Sequence, residues 1–208
     1  MKKHLFIVIL LLLGICPSGS AQKMTQGQVK QQISKVASQL KSMQCDFVQT
    51  KYLKMLNDKV VSSGKMYYQQ SDKLRWEYVS PYKYTFILNG SKVSLKNSKR
   101  NDVIDVNQNK VFKEIARIMM SSVVGDCLND SRSFKVSIAD AKTEWLATLT
   151  PQRKEMKQMF QSIVLHFNKQ RSMVSKVELV EKNGDKTIIE LKNVKTNVSI
   201  APSIFSIN

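Results

Sequence analysis

The chain has 208 residues, and its 33 lysines and arginines outnumber its 16 aspartates and glutamates, which gives a formal net charge of +17. This length, without a Pro- or Gly-rich linker, predicts one folded domain with an apolar core of its own. The basic residues are spread along the chain without a dense block, so we interpret the charge as a solvated surface rather than as a nucleic-acid site.

The N-terminus predicts a cleaved export signal. Two lysines precede an uninterrupted apolar run from Leu5 to Leu13, and small residues follow up to Ala21. The run is much shorter than the ~20 residues of a membrane span. We therefore expect a secretory signal over residues 1–21, cleaved near Ala21, and a single domain over residues 22–208.

Export changes which partners the charge favours. Loss of the two lysines of the signal leaves the exported chain with a formal charge of +15. Export disfavours nucleic acid as a partner, whereas a non-specific attraction to anionic lipid headgroups stays open.

The first element after the signal is a predicted amphipathic helix. Thr25 is available as the N-cap, and apolar residues then recur at steps of three and four up to Met43. These residues are Val29, Ile33, Val36, Leu40 and Met43. Their stripe must pack on another apolar surface, and the strands that follow are the only large one nearby, so we expect a helix on a sheet.

The next part of the chain predicts consecutive antiparallel strands, because apolar and polar side chains alternate at a spacing of two. The predicted strands are Asp46 to Lys54, Val60 to Gln70, Lys73 to Val79 and a run ending at Asn89-Gly90. Their shared apolar face carries Met66, Tyr68, Leu74, Trp76, Tyr78, Tyr84, Phe86 and Leu88. We expect Arg75 to face solvent on the other side, because its two neighbours point inward.

The second half of the sequence begins after Asn101 with a polar loop, followed by a predicted short helix between Val111 and Val124 that Gly125 ends. Six further strands are predicted at Phe134 to Ile138, Glu144 to Thr150, Ser162 to Phe167, Val174 to Glu181, Thr187 to Val194 and Ser203 to Ile207. Many antiparallel strands joined in order, with only two helices, indicate a curved sheet or a barrel.

The sequence lacks the motifs of the common enzyme and metal-site classes. It has no glycine-rich nucleotide loop, paired-cysteine metal motif or nucleophile elbow. The exported chain has one histidine, His166, which is too few for a histidine-rich metal site, and we interpret it as structural. Acidic residues are too widely separated to nominate a general acid and base. We therefore predict that the protein is not an enzyme and has no cofactor or metal.

The exported chain contains two cysteines, Cys45 and Cys127, and export brings them to an oxidising compartment. A disulfide requires their Cα atoms to approach within ~7 Å, which the spacing in the sequence does not decide. One disulfide and two thiols are both open at this stage.

After the signal peptide and the amphipathic helix, the sequence contains a series of motifs in this order: Phe47-x-Gln49, Gly64, Leu74-Arg75-Trp76-Glu77-Tyr78, Pro81, Asn89-Gly90, Leu149-Thr150-Pro151, the Asn183-Gly184 hairpin with Thr187, and Phe205. Together these motifs resemble the outer-membrane lipoprotein carrier family (LolA-like). The resemblance covers nearly all of the exported chain.

The resemblance implies an α+β fold that is mainly antiparallel β: an unclosed curved β-barrel, or half-barrel, with helices covering its concave apolar face. It implies a monomeric periplasmic carrier that binds lipoprotein acyl chains and takes them from an inner-membrane lipoprotein-releasing transporter to an outer-membrane acceptor. Three alternatives stay open: a LolA-like envelope protein that binds another lipid, a regulatory sensor of mislocalised lipoproteins, and an envelope protein with a filled core. Such sensors usually carry an additional domain, whereas this sequence ends soon after Phe205, so we expect a carrier rather than a sensor.

The resemblance also implies where the ligand would bind. The expected cavity residues are Met66, Tyr68, Leu74, Trp76, Tyr78, Phe86 and Leu88, and the expected helical lid residues are Val29, Ile33, Val36, Leu40, Ile118, Met119 and Met120. In the family, an arginine followed by a proline, shortly before the Trp-bearing strand, ties the sheet to the lid. The matching positions here are Gln70 and Ser71, so the latch departs from the family pattern.

Overall fold

The computed structural model describes residues 24–70, 72–108, 120–121 and 125–207. The predicted export signal, Ser71 and most of the predicted second helix, including Ile118 and Met119, lie outside the described residues. Of that helix, Met120 and Ser121 are described and are helical.

Two helices and eleven strands account for most of the described residues. The helices are α1 (Gln26–Ser38) and α2 (Lys154–Met159). The strands are β1 (Ser42–Leu53), β2 (Asp58–Gln69), β3 (Lys73–Ser80), β4 (Tyr84–Asn89), β5 (Lys92–Asn97), β6 (Asn101–Asp105), β7 (Phe134–Asp140), β8 (Glu144–Pro151), β9 (Phe160–Asn168), β10 (Met173–Glu181) and β11 (Lys186–Thr196). Short 3-10 helices span Lys54–Leu56, Asp126–Leu128 and Pro202–Phe205.

All eleven strands form one antiparallel sheet in the order β6-β5-β4-β3-β2-β1-β11-β10-β9-β8-β7. The first and last strands therefore pair at the centre, and β6 and β7 are the two edges. These edges do not pair with each other in the described part of the chain, so the sheet is unclosed. The prediction of an unclosed, mainly antiparallel half-barrel with helices is confirmed.

Helix α1 begins as the sequence predicts and ends earlier. The Thr25 side chain accepts a hydrogen bond from the Gln28 backbone N–H, and the Gln28 side chain in turn accepts one from the Thr25 backbone N–H, which completes a capping box. The helix ends at Ser38, so Leu40 and Met43 lie beyond it. Both are buried against the sheet, because β1 takes over the chain at Ser42.

The predicted strand from Ser203 to Ile207 is wrong. The chain forms the 3-10 helix Pro202–Phe205 there, with proline at its start. A strand has no place to pair beside β11, because β1 and β10 already occupy both of its edges. Two smaller differences are β6, which occupies the start of the predicted polar loop after Asn101, and α2, which was not predicted.

The 3-10 helix at Pro202–Phe205 packs on the side of the sheet away from the concave face, which we call the convex face. Phe205 is only 1% exposed, and the Asn89 side-chain amide donates to its carbonyl at 3.2 Å. Arg75 lies on this face, as predicted, but it is covered rather than solvent-facing. Its guanidinium donates to the Glu77 carboxylate at 3.0 Å and to the Ile204 carbonyl at 3.3 Å.

Most of the buried apolar residues in the described part of the chain form two clusters. The α1 cluster joins Val29 and Ile33 of the helix to strands β7 to β10, including Trp145, Leu165 and Phe167. The β1–β5 cluster is centred on Phe47, Met66 and Leu74, with Leu40 and Met43 at its border. Each half of the sheet thus has its own packed region.

Cys45 and Cys127 are both buried and are not joined in this structure. Cys45 belongs to the β1–β5 cluster and Cys127 to the α1 cluster. Burial, with a smaller contribution from the Asp46 carboxylate, raises the pKa of the Cys45 thiol to about 12. A thiol kept protonated in this way is a poor nucleophile.

Candidate binding cavity

A cavity of about 360 Å³ lies between the two halves of the sheet. One wall comes from β1 to β4 and consists of Gln49, Met66, Leu74, Trp76, Tyr78, Tyr84 and Phe86. The opposite wall comes from α2 and β9 to β11 and consists of Met156, Met159, Phe160, Ile163, Val174, Val177, Leu179, Ile189 and Leu191. Its volume is within the range of about 300–1,000 Å³ typical of small-molecule sites.

Among the described residues, the lining carries no charged side chain, and its polar groups are few. The Tyr78 hydroxyl donates to the Gln49 side-chain oxygen at 2.9 Å. Burial raises the pKa of Tyr78, which keeps its hydroxyl protonated. This described lining therefore offers no charge to a polar ligand and is chemically suited to a hydrocarbon.

An aromatic group builds the β1–β4 wall. The Phe47 ring stacks on Trp76 at a centroid distance of 4.3 Å and meets Tyr78 edge-on at 5.2 Å. Phe47 pairs across the strands with Gly64, whose missing side chain leaves room for the ring. Phe47 thus lies behind the lining residues and fixes their positions.

Five of the seven predicted cavity residues line the cavity: Met66, Leu74, Trp76, Tyr78 and Phe86. The other two, Tyr68 and Leu88, are buried in the β1–β5 cluster and do not line it. They share the apolar face but lie farther along the strands, toward the turns that join β2 to β3 and β4 to β5.

The whole opposite wall was missed at the sequence level. Its strands show the same spacing of two, for example Val177 with Leu179 and Ile189 with Leu191. That signal identifies an inward face but not which residues face an open space. Met156 and Met159 come from α2, which is too short to leave a periodic pattern.

The predicted lid residues of the first helix do not line this cavity. Val29 and Ile33 pack in the α1 cluster, whereas Val36 and Leu40 border a separate surface groove with Met173. Met120 is half-buried and packs against the β1–β5 cluster.

Three hydrogen bonds hold α1 over the half of the sheet formed by β7 to β10. Gln32 donates to the Ser172 hydroxyl at 2.9 Å, and the Asn129 amide donates to the Ser34 hydroxyl at 2.9 Å. At the edge strand β7, the Ile138 N–H donates to the Gln26 side chain at 3.2 Å. Gln70, at the family's latch position, is exposed, and its N–H donates to the Lys41 carbonyl at 2.8 Å.

His166 lies on the convex face of the sheet. Its two ring nitrogens are each 3.0 Å from a carboxylate oxygen, one of Glu144 and one of Glu178. Burial opposes the ionisation of Glu178, but hydrogen bonds and charges from Lys186 and Lys176 outweigh it and lower the pKa of Glu178 to about 2. This network ties β8, β9, β10 and β11 together outside the cavity.

Two features of the described residues bear on other functions. They contain no group of three or more histidine, cysteine, aspartate or glutamate residues placed to hold a metal ion. None of their helices is both long and apolar enough to cross a membrane.

Comparison with known proteins places these features in a family. The model of the outer membrane lipoprotein carrier protein LolA matches residues 38–208. A carrier protein from Pseudomonas syringae pv. syringae is 27% identical over 144 residues, which are 69% of this chain and 66% of the relative. The alignment thus spans just under two thirds of that relative. One from Methylococcus capsulatus is 23% identical over 165 residues, 79% of this chain and 76% of the relative.

A solved structure shares the fold at much lower identity. A chain in the Pseudomonas aeruginosa MucA/MucB complex superposes with a TM-score of 0.53 at 11% identity, over 86% of this chain and 59% of that chain. A likeness at this identity concerns the fold alone.

Proposed function

Because this chain belongs to the LolA family of outer-membrane lipoprotein carrier proteins, we propose that it is a periplasmic carrier that binds the acyl chains of lipoproteins. In this proposal the acyl chains occupy the cavity between the two halves of the sheet. The protein acts as a monomer that takes lipoproteins from an inner-membrane transporter to an outer-membrane acceptor.

The observation that carries the proposal is the uncharged cavity lined from both halves of the sheet. Burial of an acyl chain gains about 0.8 kcal/mol per methylene, so a chain of about sixteen carbons gains on the order of 10 kcal/mol before reorganisation costs. Methionines on both walls, Met66, Met156 and Met159, offer flexible side chains that adapt to a variable hydrocarbon.

The cargo is tested by native mass spectrometry of the protein purified from its own envelope, with identification of bound lipid and peptide. We expect a triacylated lipoprotein. A different lipid would redirect the function to another lipidic ligand. A protein that is empty, and that takes up no lipoprotein from membrane vesicles, would contradict the carrier proposal and favour a sensor or a filled core.

A matched pair of variants tests whether the cargo uses this cavity. Ile189 lines it, whereas its neighbour Ile188 is half-buried on the convex face. We expect Ile189→Gln to lower lipoprotein uptake from vesicles roughly 5- to 100-fold, because an unpaired amide among apolar groups costs roughly 1–3 kcal/mol. Ile188→Gln is the control and should take up lipoprotein like the wild type. Equal uptake by the two variants would remove the cavity from the proposal.

A further inference from the structure

The large exposed apolar side chains are concentrated at one end of the molecule. Among the residues that the structure describes, eight of the ten such side chains are in or beside turns at this end: Tyr52, Met55, Leu56, Val60, Val61, Val79, Tyr82 and Met159. The remaining two are Met24 and Val103. Apolar exposure gathered in this way marks a surface that meets another apolar phase.

The cavity reaches the same end. Met159 both lines the cavity and is 42% exposed. The Tyr82 ring, which is exposed, lies 6.3 Å from the ring of the lining residue Tyr78. We call four segments at this end the mouth turns: residues 54–57, 81–83, 152–159 and 182–185.

The β1–β2 hairpin is the most prominent of the mouth turns. The last β2–β3 pair is Ser63 with Ser80, so the β2 residues from Asp58 to Ser62 extend past β3. Five residues of strand correspond to about 15 Å. At the tip, Met55 is 91% exposed and Leu56 is 71% exposed. Two adjacent apolar side chains thus stand clear of the sheet.

The mouth turns are also basic. They contain six lysines and arginines, Lys54, Lys83, Arg153, Lys154, Lys157 and Lys182, against two acidic residues, Glu155 and Asp185. Exposed Asp58 and Lys59 follow the hairpin tip on β2. Apolar side chains surrounded by lysines are the combination that enters the boundary between lipid headgroups and acyl chains of an anionic bilayer.

We propose that the mouth end docks on anionic lipid bilayers, with Met55 and Leu56 inserted and the surrounding lysines on the headgroups. The inference concerns the outer surface and does not rest on the cargo. It supplies a route by which the cavity faces the lipid phase directly.

The test is sedimentation of the full exported chain with vesicles that contain no lipoprotein. We expect binding to equimolar phosphatidylcholine and phosphatidylglycerol, weakening with added salt, and much weaker binding to phosphatidylcholine alone. The double variant Met55→Ser, Leu56→Ser should bind at least tenfold more weakly, because it loses two inserted apolar side chains.

Control variants distinguish the effect of the hairpin tip on vesicle binding from the effect of exposed side chains elsewhere. Val103→Ser removes an exposed apolar side chain from the edge strand β6 and should bind like the wild type. Lys59→Gln with Lys83→Gln should weaken binding to anionic vesicles more than tenfold, since each lysine contributes about fivefold. Lys142→Gln, in the exposed turn between β7 and β8 at the opposite end, should not.

The cavity variant Ile189→Gln distinguishes docking from cargo binding and should dock normally. The inference would be overturned if the wild type did not bind anionic vesicles. It would also be overturned if the double variant Met55→Ser, Leu56→Ser bound them as tightly as the wild type. Loss of docking in Ile189→Gln would assign the binding to vesicle acyl chains that enter the cavity. If docking persists but no lipoprotein is taken up, the proposed function fails alone.

Discussion

Gly64 shapes the cavity wall because it has no side chain. A Cβ atom at this position would lie 1.9 Å from the Glu77 carbonyl oxygen and 2.6 Å from the Phe47 ring. The bare backbone therefore lets Phe47 lie between β2 and the lining residues Trp76 and Tyr78. No other residue type fits here without displacing the β3 backbone.

Gly64→Ala should lower the free energy of unfolding by about 2–3 kcal/mol, because the added methyl overpacks the wall. Urea denaturation followed by tryptophan fluorescence measures the change. Gly27→Ala is the control, because the nearest atom to its added Cβ is 3.9 Å away and alanine is the better helix former. An unchanged denaturation midpoint for Gly64→Ala would contradict the close packing of Phe47.

Glu178 gives stability a defined pH dependence. Its pKa of about 2 in the folded state lies below the ordinary value of 4.5. A carboxylate with a lowered pKa stabilises the fold above pH 4.5, and this stabilisation is lost as the pH falls toward 2. The loss reflects protonation of the group that Lys176 and Lys186 contact.

Glu178→Gln should therefore be less stable than the wild type at neutral pH, with the difference in unfolding free energy disappearing between pH 4.5 and 2. Urea titrations at a series of pH values measure this difference. Glu190→Gln is the control, because the Glu190 side chain is 52% exposed and lies 3.9 Å from Lys192. A difference for Glu178→Gln that did not change with pH would exclude its charge as the cause.

At the scale of elements, the 3-10 helix Pro202–Phe205 fastens the end of the chain to β3 and β4. Phe205 is buried there, while Trp76 and Phe86 of the same two strands line the cavity on the other face. The two strands are thus packed on both faces. The Arg75 hydrogen bond to the Ile204 carbonyl adds a polar contact to this attachment.

Phe205→Ala should cost about 3–5 kcal/mol of unfolding free energy, as expected for a fully buried aromatic side chain. Thermal or urea unfolding measures the loss. Ser203→Ala, an exposed position in the same 3-10 helix, should change stability by less than about 0.5 kcal/mol. Similar effects of the two substitutions would contradict an anchoring role for Phe205.

The elements that sequence reasoning predicted well have a strong local signal. Alternation at a spacing of two located β1 to β3 and β7 to β11, and the Thr25 cap located the start of α1. The prediction of a strand from Ser203 to Ile207 was wrong because its apolar residues pack against a face of the existing sheet. The local sequence pattern does not reveal this packing. Helix α2 has six residues, fewer than two turns, and leaves no periodicity to detect.

At the scale of the whole molecule, one wall of the cavity was predictable and the other was not. Met66, Trp76 and Tyr78 lie on one run of strands with a continuous apolar face. The opposite wall depends on the curvature of the sheet, because the sheet must bend until Val177 and Ile189 face the first wall. A local sequence pattern does not show this bend. The apolar stripe of α1 likewise predicted packing on the sheet but not which half of the sheet it covers.

The central pairing of β1 with β11 also determines at which step of folding the cavity forms. Every other strand pair joins strands that are neighbours in sequence, so β1 to β6 and β7 to β11 are each assembled from local hairpins. Asn193 and Asp46, which are 147 residues apart in sequence, form a hydrogen bond across the central strand pair. Most of the loop-closure entropy of folding is therefore lost when β1 and β11 pair. Neither run of strands encloses a space alone. The cavity therefore forms in a single step, when the two runs of strands join.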